Sequence, residues 1–256
     1  MTNPESIAPI KLLQLFNSIG LFLAPGLAYF FLFLKGDKKE LRIHKTSPLI
    51  NYGFVLLLFF LFVPAINYSV KLNELLVLPD FLSGVEQWMK DSEENAKEIT
   101  TLFLQMDSIS DLFVNLFLIA FIPAISEELI FRGVLQKIIN KNSSNYHIGI
   151  WLAAAIFSAI HFQFYGFIPR MLLGAFFGYL LVWSGSLWLP IFAHFVNNAA
   201  GVLGAYFYGI DSMENQLEQV GSSEGTELLT LASTALFIVL LIRFKRAQKN
   251  PALGGI

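Results

Sequence analysis

The sequence contains no cysteine. That absence excludes disulfides, a cysteine nucleophile, thiolate metal sites and lipidation on cysteine. Charge is scarce too. Asp, Glu, Lys and Arg make up 14% of the 256 residues, against about 25% in a soluble domain. The formal net charge is −2 and there is no basic stripe, so nucleic acid is not an expected partner. The chain also lacks the His-Glu-x-x-His helix of many zinc proteases, an internal repeat, and any composition break that would mark a second domain. It reads as a single membrane domain over residues 1–256.

What fills the sequence is apolar. Hydrophobic residues account for 55%, mean hydropathy is +0.60, and several runs approach the ~20 residues that a bilayer span requires. Seven spans are expected: 10–34, 49–70, 112–139, 148–164, 168–183, 187–208 and 228–244. The fold class is therefore all-α, a polytopic transmembrane helical bundle of about seven spans. The first run is longer than a signal-peptide core and no small-residue cleavage site follows it, so it is read as a membrane helix. Pro25 predicts a kink in the first span, and Phe62-Val63-Pro64 predicts a break in the second.

Orientation follows from the loops. Lys35, Lys38, Lys39, Arg42 and Lys45 follow the first span, Lys137 and Lys141 the third, and Arg243, Lys245, Arg246 and Lys249 the seventh. Seven crossings put all three clusters on the cytoplasmic side, with the N-terminus outside and the C-terminus inside. Asp211, Glu214, Glu218, Glu224 and Glu227 then lie outside, and Trp151, Trp183 and Trp188 at the inner interface. The abundance of Asn, Lys, Ile and Phe points to a bacterial plasma membrane. Residues 71–107 form the one long connection. Their mix of apolar and polar residues reads as an interfacial amphipathic segment, with a soluble loop holding a short helix as the alternative. The tail beyond Lys249 is expected to be disordered.

Within the third span, Glu127, Glu128 and Arg132 interrupt an otherwise apolar run. On an α-helix, Glu128 and Arg132 are i,i+4 neighbours with the acid on the N-terminal side, the better orientation for a pair. Glu127 is turned about 100° away and is left free for another task. His161 falls in the fourth span and His194 in the sixth, with Asn198 four residues further along the same face. Counting from the inner ends puts Glu127 at ~15 Å, His161 at ~20 Å and His194 at ~10 Å, so they converge on one level within the boundary error. Ionisable groups at membrane depth face the bundle interior and mark function by default.

Glu127-Glu128-x-x-x-Arg132, Phe157-x-x-x-His161 and His194-x-x-x-Asn198, in that order, resemble the three motifs of the CPBP family. These are the CAAX-processing and bacteriocin-processing (ABI) intramembrane proteases, related to type II CAAX prenyl endopeptidases. The resemblance covers about residues 108–205, which would be the catalytic core. It implies an endopeptidase in which Glu127 is the general base and His161 joins it in activating water. His194 and Asn198 would stabilise the tetrahedral oxyanion, and Glu128 and Arg132 would support the site. The family is commonly labelled metalloprotease, and Glu127, His161 and His194 are chemically competent zinc ligands. A metal-free scheme leaves Glu127 available as the base; a zinc scheme does not. The expected substrate is a membrane-associated protein or peptide, and the other partner is the bilayer.

Blander readings compete residue by residue. Glu128–Arg132 can be a structural ion pair, His161 a packed interior histidine, and His194 and Asn198 interhelical hydrogen-bonding groups. Gly174-x-x-x-Gly178 reads as a close helix contact, and Arg170 as an interface anchor rather than a substrate clamp. A proton-coupled transporter would bury similar groups but should show two related halves, which this sequence does not. A non-catalytic scaffold or immunity protein on the same fold is the third class.

Overall fold

The computed structural model describes residues 7–75, 78–210 and 219–248. Leu76, Val77, Asp211, Glu214, Glu218, Lys249 and the tail beyond it lie outside the described residues. Among the described residues eight main helices follow one another: α1 (7–32), α2 (Leu49–Glu74), α3 (Ser83–Leu104), α4 (Ile109–Lys141), α5 (Tyr146–Ala159), α6 (Phe167–Ser184), α7 (Trp188–Tyr208) and α8 (Glu227–Ala247). No strand occurs among the described residues. Five helices (α1, α2, α4, α6 and α8) are long and apolar enough to cross a bilayer, and α5 is a shorter apolar helix. α7 has the length of a span but carries His194, Asn197 and Asn198. The chain is an integral membrane protein with a helical bundle fold.

Local chemistry sets the ends that matter. α4 begins at a reciprocal cap: Ser108 Oγ accepts from the Asp111 N–H and the Asp111 carboxylate accepts from the Ser108 N–H, which satisfies two orphan donors. α6 stops at Gly185, whose φ of 67° is the left-handed cap that glycine adopts without strain. Helix α6 is the centre of the bundle. In its most apolar stretch 61% of residues are buried, against a third or less in the other four long helices. Phe176, Phe177, Leu180 and Trp183 pack with Val55, Leu58 and Phe62 of α2, Ile150 of α5, Leu189 of α7 and Phe237 of α8. The other helices therefore present the rest of their apolar surface outward, as lipid-facing helices do.

The basic segments gather at one end. The Arg42 carbonyl accepts from the Leu187 N–H, its guanidinium donates to the Leu181 carbonyl, and Lys45 reaches the Ser184 carbonyl. Burial at this junction pushes the Arg42 guanidinium below the ordinary arginine range. Trp188 Nε1 donates to the Ile43 carbonyl, Lys137 pairs with Glu40, and Lys245 lies 5.6 Å over the Trp183 ring. The loop after α1, the end of α4 and the end of α8 thus meet at the α6–α7 turn.

Two expectations are corrected. The fourth span does not run to Phe164. α5 ends at Ala159 and residues 160–166 form a turn, so His161 lies past the helix end instead of mid-span. Pro64 does not break α2, which is helical from Leu49 to Glu74. Proline removes one intrahelical hydrogen bond, and neighbouring helices in a membrane bundle can absorb that loss. In α1 the irregularity precedes Pro25. A π segment, Ser18–Leu23, leads directly into the α-helical turn that holds Pro25, so the ladder is already widened just before the residue whose ring and missing N–H disturb it. α3 gives the 71–107 connection a 22-residue helix with polar residues on one side and Val85 and Trp88 exposed on the other.

Candidate active site

Helix α4 is not uniform. It contains two π segments, Leu116–Phe121 and Leu129–Leu135, with Glu127 and Glu128 on the α-helical turn just before the second. π segments loosen the i→i+4 ladder locally and often occur at functional sites. Both carboxylates are buried, at 8% and 0% exposure, yet their surroundings differ.

Glu128 is saturated on one oxygen. Its Oε1 accepts from Arg132 Nη1 at 2.8 Å and from His194 Nδ1 at 2.9 Å. Arg132 is itself enclosed: Nη2 donates to the Gly174 carbonyl at 2.9 Å, and the guanidinium lies 4.8 Å from the Phe157 ring centre and 5.4 Å from that of Phe177. Glycine is needed for this approach. A Cβ on Gly174 would stand 3.1 Å from the Ala154 Cβ and 3.2 Å from Arg132 Nη2. The Gly174-x-x-x-Gly178 contact is thus close helix packing, as expected, and it also delivers a carbonyl to the buried arginine.

Glu127 accepts no hydrogen bond from the described residues. Its nearest polar neighbour is His194 Nε2, 3.8 Å from Oε2. A carboxylate already paired with arginine is an acceptor, so His194 donates to it from Nδ1 and turns Nε2 toward Glu127. Phe177 stacks on the imidazole at 5.2 Å and Phe157 meets it edge-on at 5.8 Å, which fixes the ring plane.

His161 is held differently. Its Nδ1 lies 2.7 Å from the Phe157 carbonyl. A carbonyl only accepts, so this ring too carries its proton on Nδ1 and presents Nε2 as a lone pair. The Phe157 ring lies 5.1 Å from the His161 ring and touches Phe131 as well. One phenylalanine therefore separates the two imidazoles and touches both. No hydrogen bond or ion pair joins Glu127 to His161. Asn198 sits one turn beyond His194 on α7, and its Nδ2 donates to the Ile119 carbonyl at 3.2 Å, inside the first π segment of α4. The second N–H of its carboxamide has no partner among the described residues.

The structure thus brings Glu127, Glu128, Arg132 and His194 together, reaches His161 across the Phe157 ring, and ties Asn198 to the same helix as the acids. The sequence did not reveal the His194–Glu128 bond, nor the walls formed by Phe157 and Phe177. Only the Phe157-x-x-x-His161 spacing marked one of those rings. Arg170, read as an interface anchor, donates to the Gln163 side chain at 2.6 Å and to the Gln163 carbonyl at 3.4 Å.

Zinc would demand both ligand orientation and ligand spacing from these side chains. Each imidazole is backed by an acceptor on Nδ1 and offers Nε2, an orientation that suits a ligand. The spacing does not. Among the described residues no group of three His, Asp or Glu side chains gathers where a metal ion could be held. The set as placed does not fit the ion.

Residues 109–200 match the family described as type II CAAX prenyl endopeptidase, Rce1-like. A Bacillus subtilis (strain 168) protein designated "Uncharacterized protein YpbD" is 31% identical over 136 residues. That alignment takes in 52% of this chain and 64% of the Bacillus protein, less than two thirds of its length. No solved structure matches the chain.

Proposed function

We propose an activity for a chain whose residues 109–200 are related to the type II CAAX prenyl endopeptidases: hydrolysis of a peptide bond in a membrane-associated protein or peptide. One observation carries the reading. Of two adjacent buried carboxylates, Glu128 is occupied by Arg132 and His194, while Glu127 lies 3.8 Å from Nε2 of the same imidazole and accepts no hydrogen bond from the described residues. A water held about 2.8 Å from both Glu127 Oε2 and His194 Nε2, which are 3.8 Å apart, can give a proton to Glu127.

In this scheme Glu127 is the general base and His161 its partner in activating the water. The water oxygen adds to the carbonyl carbon of the substrate, and its proton passes to Glu127. The negative charge that develops on the carbonyl oxygen is met by the unused N–H of Asn198 and by His194. His194 can donate from Nε2 only in its doubly protonated form, because Nδ1–H is committed to Glu128. Glu127 then returns the proton to the leaving nitrogen as the C–N bond breaks, giving a carboxylic acid and an amine, between which the remaining acidic proton passes to leave a carboxylate and an ammonium group. Glu128 and Arg132 hold His194 in place. No step runs through a metal.

The core would be residues 108–205, with 71–107 lying at the membrane interface. The basic end of the bundle would face the cytoplasm of a bacterial plasma membrane, with the N-terminus outside, in accord with the positive-inside rule. The deciding experiment is cleavage of a membrane-embedded peptide library by purified wild type and Glu127→Gln, with and without a chelator. Activity that is lost on substitution and kept with chelator is the expected result. Loss in both arms would make this a metalloenzyme, and equal cleavage by Glu127→Gln would overturn the mechanism.

A further inference from the structure

The turn that carries His161 is strained. Phe162 has φ of 53°, a left-handed conformation that residues with a bulky side chain avoid, and such strain persists only where the surroundings over-determine it. Part of the restraint is local: Ser158 Oγ donates to the Phe167 carbonyl at 2.7 Å and Arg170 holds Gln163. The rest comes from elements outside residues 109–200. Asn73, at the end of α2 and 4% exposed, bridges the turn at two points. Its Nδ2 donates to the Phe164 carbonyl at 2.7 Å and its Oδ1 accepts from the Ile168 N–H at 3.1 Å. From α3, a Glu93 oxygen accepts from the Tyr165 N–H at 3.3 Å, and the Trp88 ring lies 5.0 Å from Phe164 and 6.5 Å from Phe162.

We propose that Asn73, Trp88 and Glu93 are positioning residues: they clamp the 160–166 turn so that His161 stays against Phe157 at the site. The amphipathic helix α3 is then a working part of the site rather than a connector. The proposal rests on the endopeptidase reading for its kinetic consequence, but the clamp itself can be observed without catalysis. A misplacement of the order of 1 Å costs about a hundredfold in rate, so partial loosening should cost about ten- to a hundredfold in kcat.

The test uses the full-length protein in bilayer nanodiscs and two measurements on Trp88→Ala, Glu93→Ala and Asn73→Ala. Hydrogen exchange across residues 160–166 should quicken in all three, while exchange in α4 and α6 stays as in the wild type. Library cleavage should show the drop in kcat with KM within about twofold. Trp88→Phe and Glu93→Gln, which keep a ring and an acceptor, should restore both readouts. Unchanged exchange in the turn would overturn the proposal, as would a loosened turn with full kcat, or a fall in activity that merely follows a loss of folded protein. Quickened exchange in the three variants, with a wild type that cleaves nothing, would uphold the clamp and refute the endopeptidase reading instead.

Discussion

Arg132→Met tests the central electrostatic argument most directly. Arg132 is 1% exposed and Glu128 fully buried, so the substitution leaves a buried carboxylate with only the imidazole of His194 as partner. Breaking a buried ion pair by removing one member costs about 3–5 kcal/mol. Methionine fills much of the volume among Phe131, Phe157 and Phe177, so that figure is mainly the stranded charge and not a cavity. It also frees the Gly174 carbonyl, and a lost buried hydrogen bond adds about 1 kcal/mol. Equilibrium unfolding in mixed micelles should therefore show a loss of at least about 3 kcal/mol. Glu128→Leu combined with Arg132→Met removes both charges, and should recover a large part of that loss, as an isosteric apolar replacement does. Arg132→Lys should recover little, because a point charge cannot serve Glu128 and Gly174 together. A single Arg132→Met within about 1 kcal/mol of wild type, or a double variant no more stable than the sum of the singles, would refute the reasoning.

Other expectations follow from the same geometry. Gly174→Ala should destabilise by about 1–3 kcal/mol, because its Cβ meets Ala154 and Arg132 within 3.2 Å; thermal unfolding measures it. Asn198→Ala should cost about 10²–10³ in kcat if the carboxamide meets the oxyanion, against about 1 kcal/mol of stability for the bond to Ile119. Equal proportional losses in the two readouts would remove it from the mechanism. Phe157→Leu should lower kcat while leaving the Glu128–Arg132 pair intact, since the ring orients both imidazoles; a spectroscopic probe of the histidine environments would report the change. The absence of cysteine makes topology direct to test. Maleimide added from outside should label Asn95→Cys on α3 but not Ser144→Cys at the basic end, and the reverse labelling would invert the proposed orientation.

The helices were legible because bilayer thickness imposes length and composition on them, and the spacing of Glu128 and Arg132 encoded a pair that the fold contains. Other features were hidden for physical reasons. Pro64 signals a break, but packing around α2 outweighs one missing hydrogen bond. The apolar run through Ile160 hid the end of α5, because a turn whose Ile160 and Phe162 remain exposed on the surface of a membrane bundle can be as apolar as a span. The His194–Glu128 bond joins residues 66 apart in sequence, and no local pattern encodes the crossing of α4 and α7 that makes it. Phe157 and Phe177 were indistinguishable from the other phenylalanines of a chain with 26 of them; only a three-dimensional arrangement selects the ones that face charge.

The polar side of α4 does more than hold one ion pair. Arg132 donates to the Gly174 carbonyl and Gln136 to the Gly178 carbonyl, so donors four residues apart on one helix meet acceptors four residues apart on another. Both glycines are closely approached: a Cβ on Gly178 would lie 2.8 Å from Gln136 Oε1 and 3.0 Å from the Ile150 side chain. A slide of α4 along α6 by one helical turn, about 5.4 Å, would move Arg132 off its glycine carbonyl and oppose the Gly178 notch with the wrong side chain. In lipid, where apolar surfaces discriminate poorly between alignments, this two-toothed key defines a single alignment. The acids then reach their depth opposite α7 as a consequence of how two helices index one another.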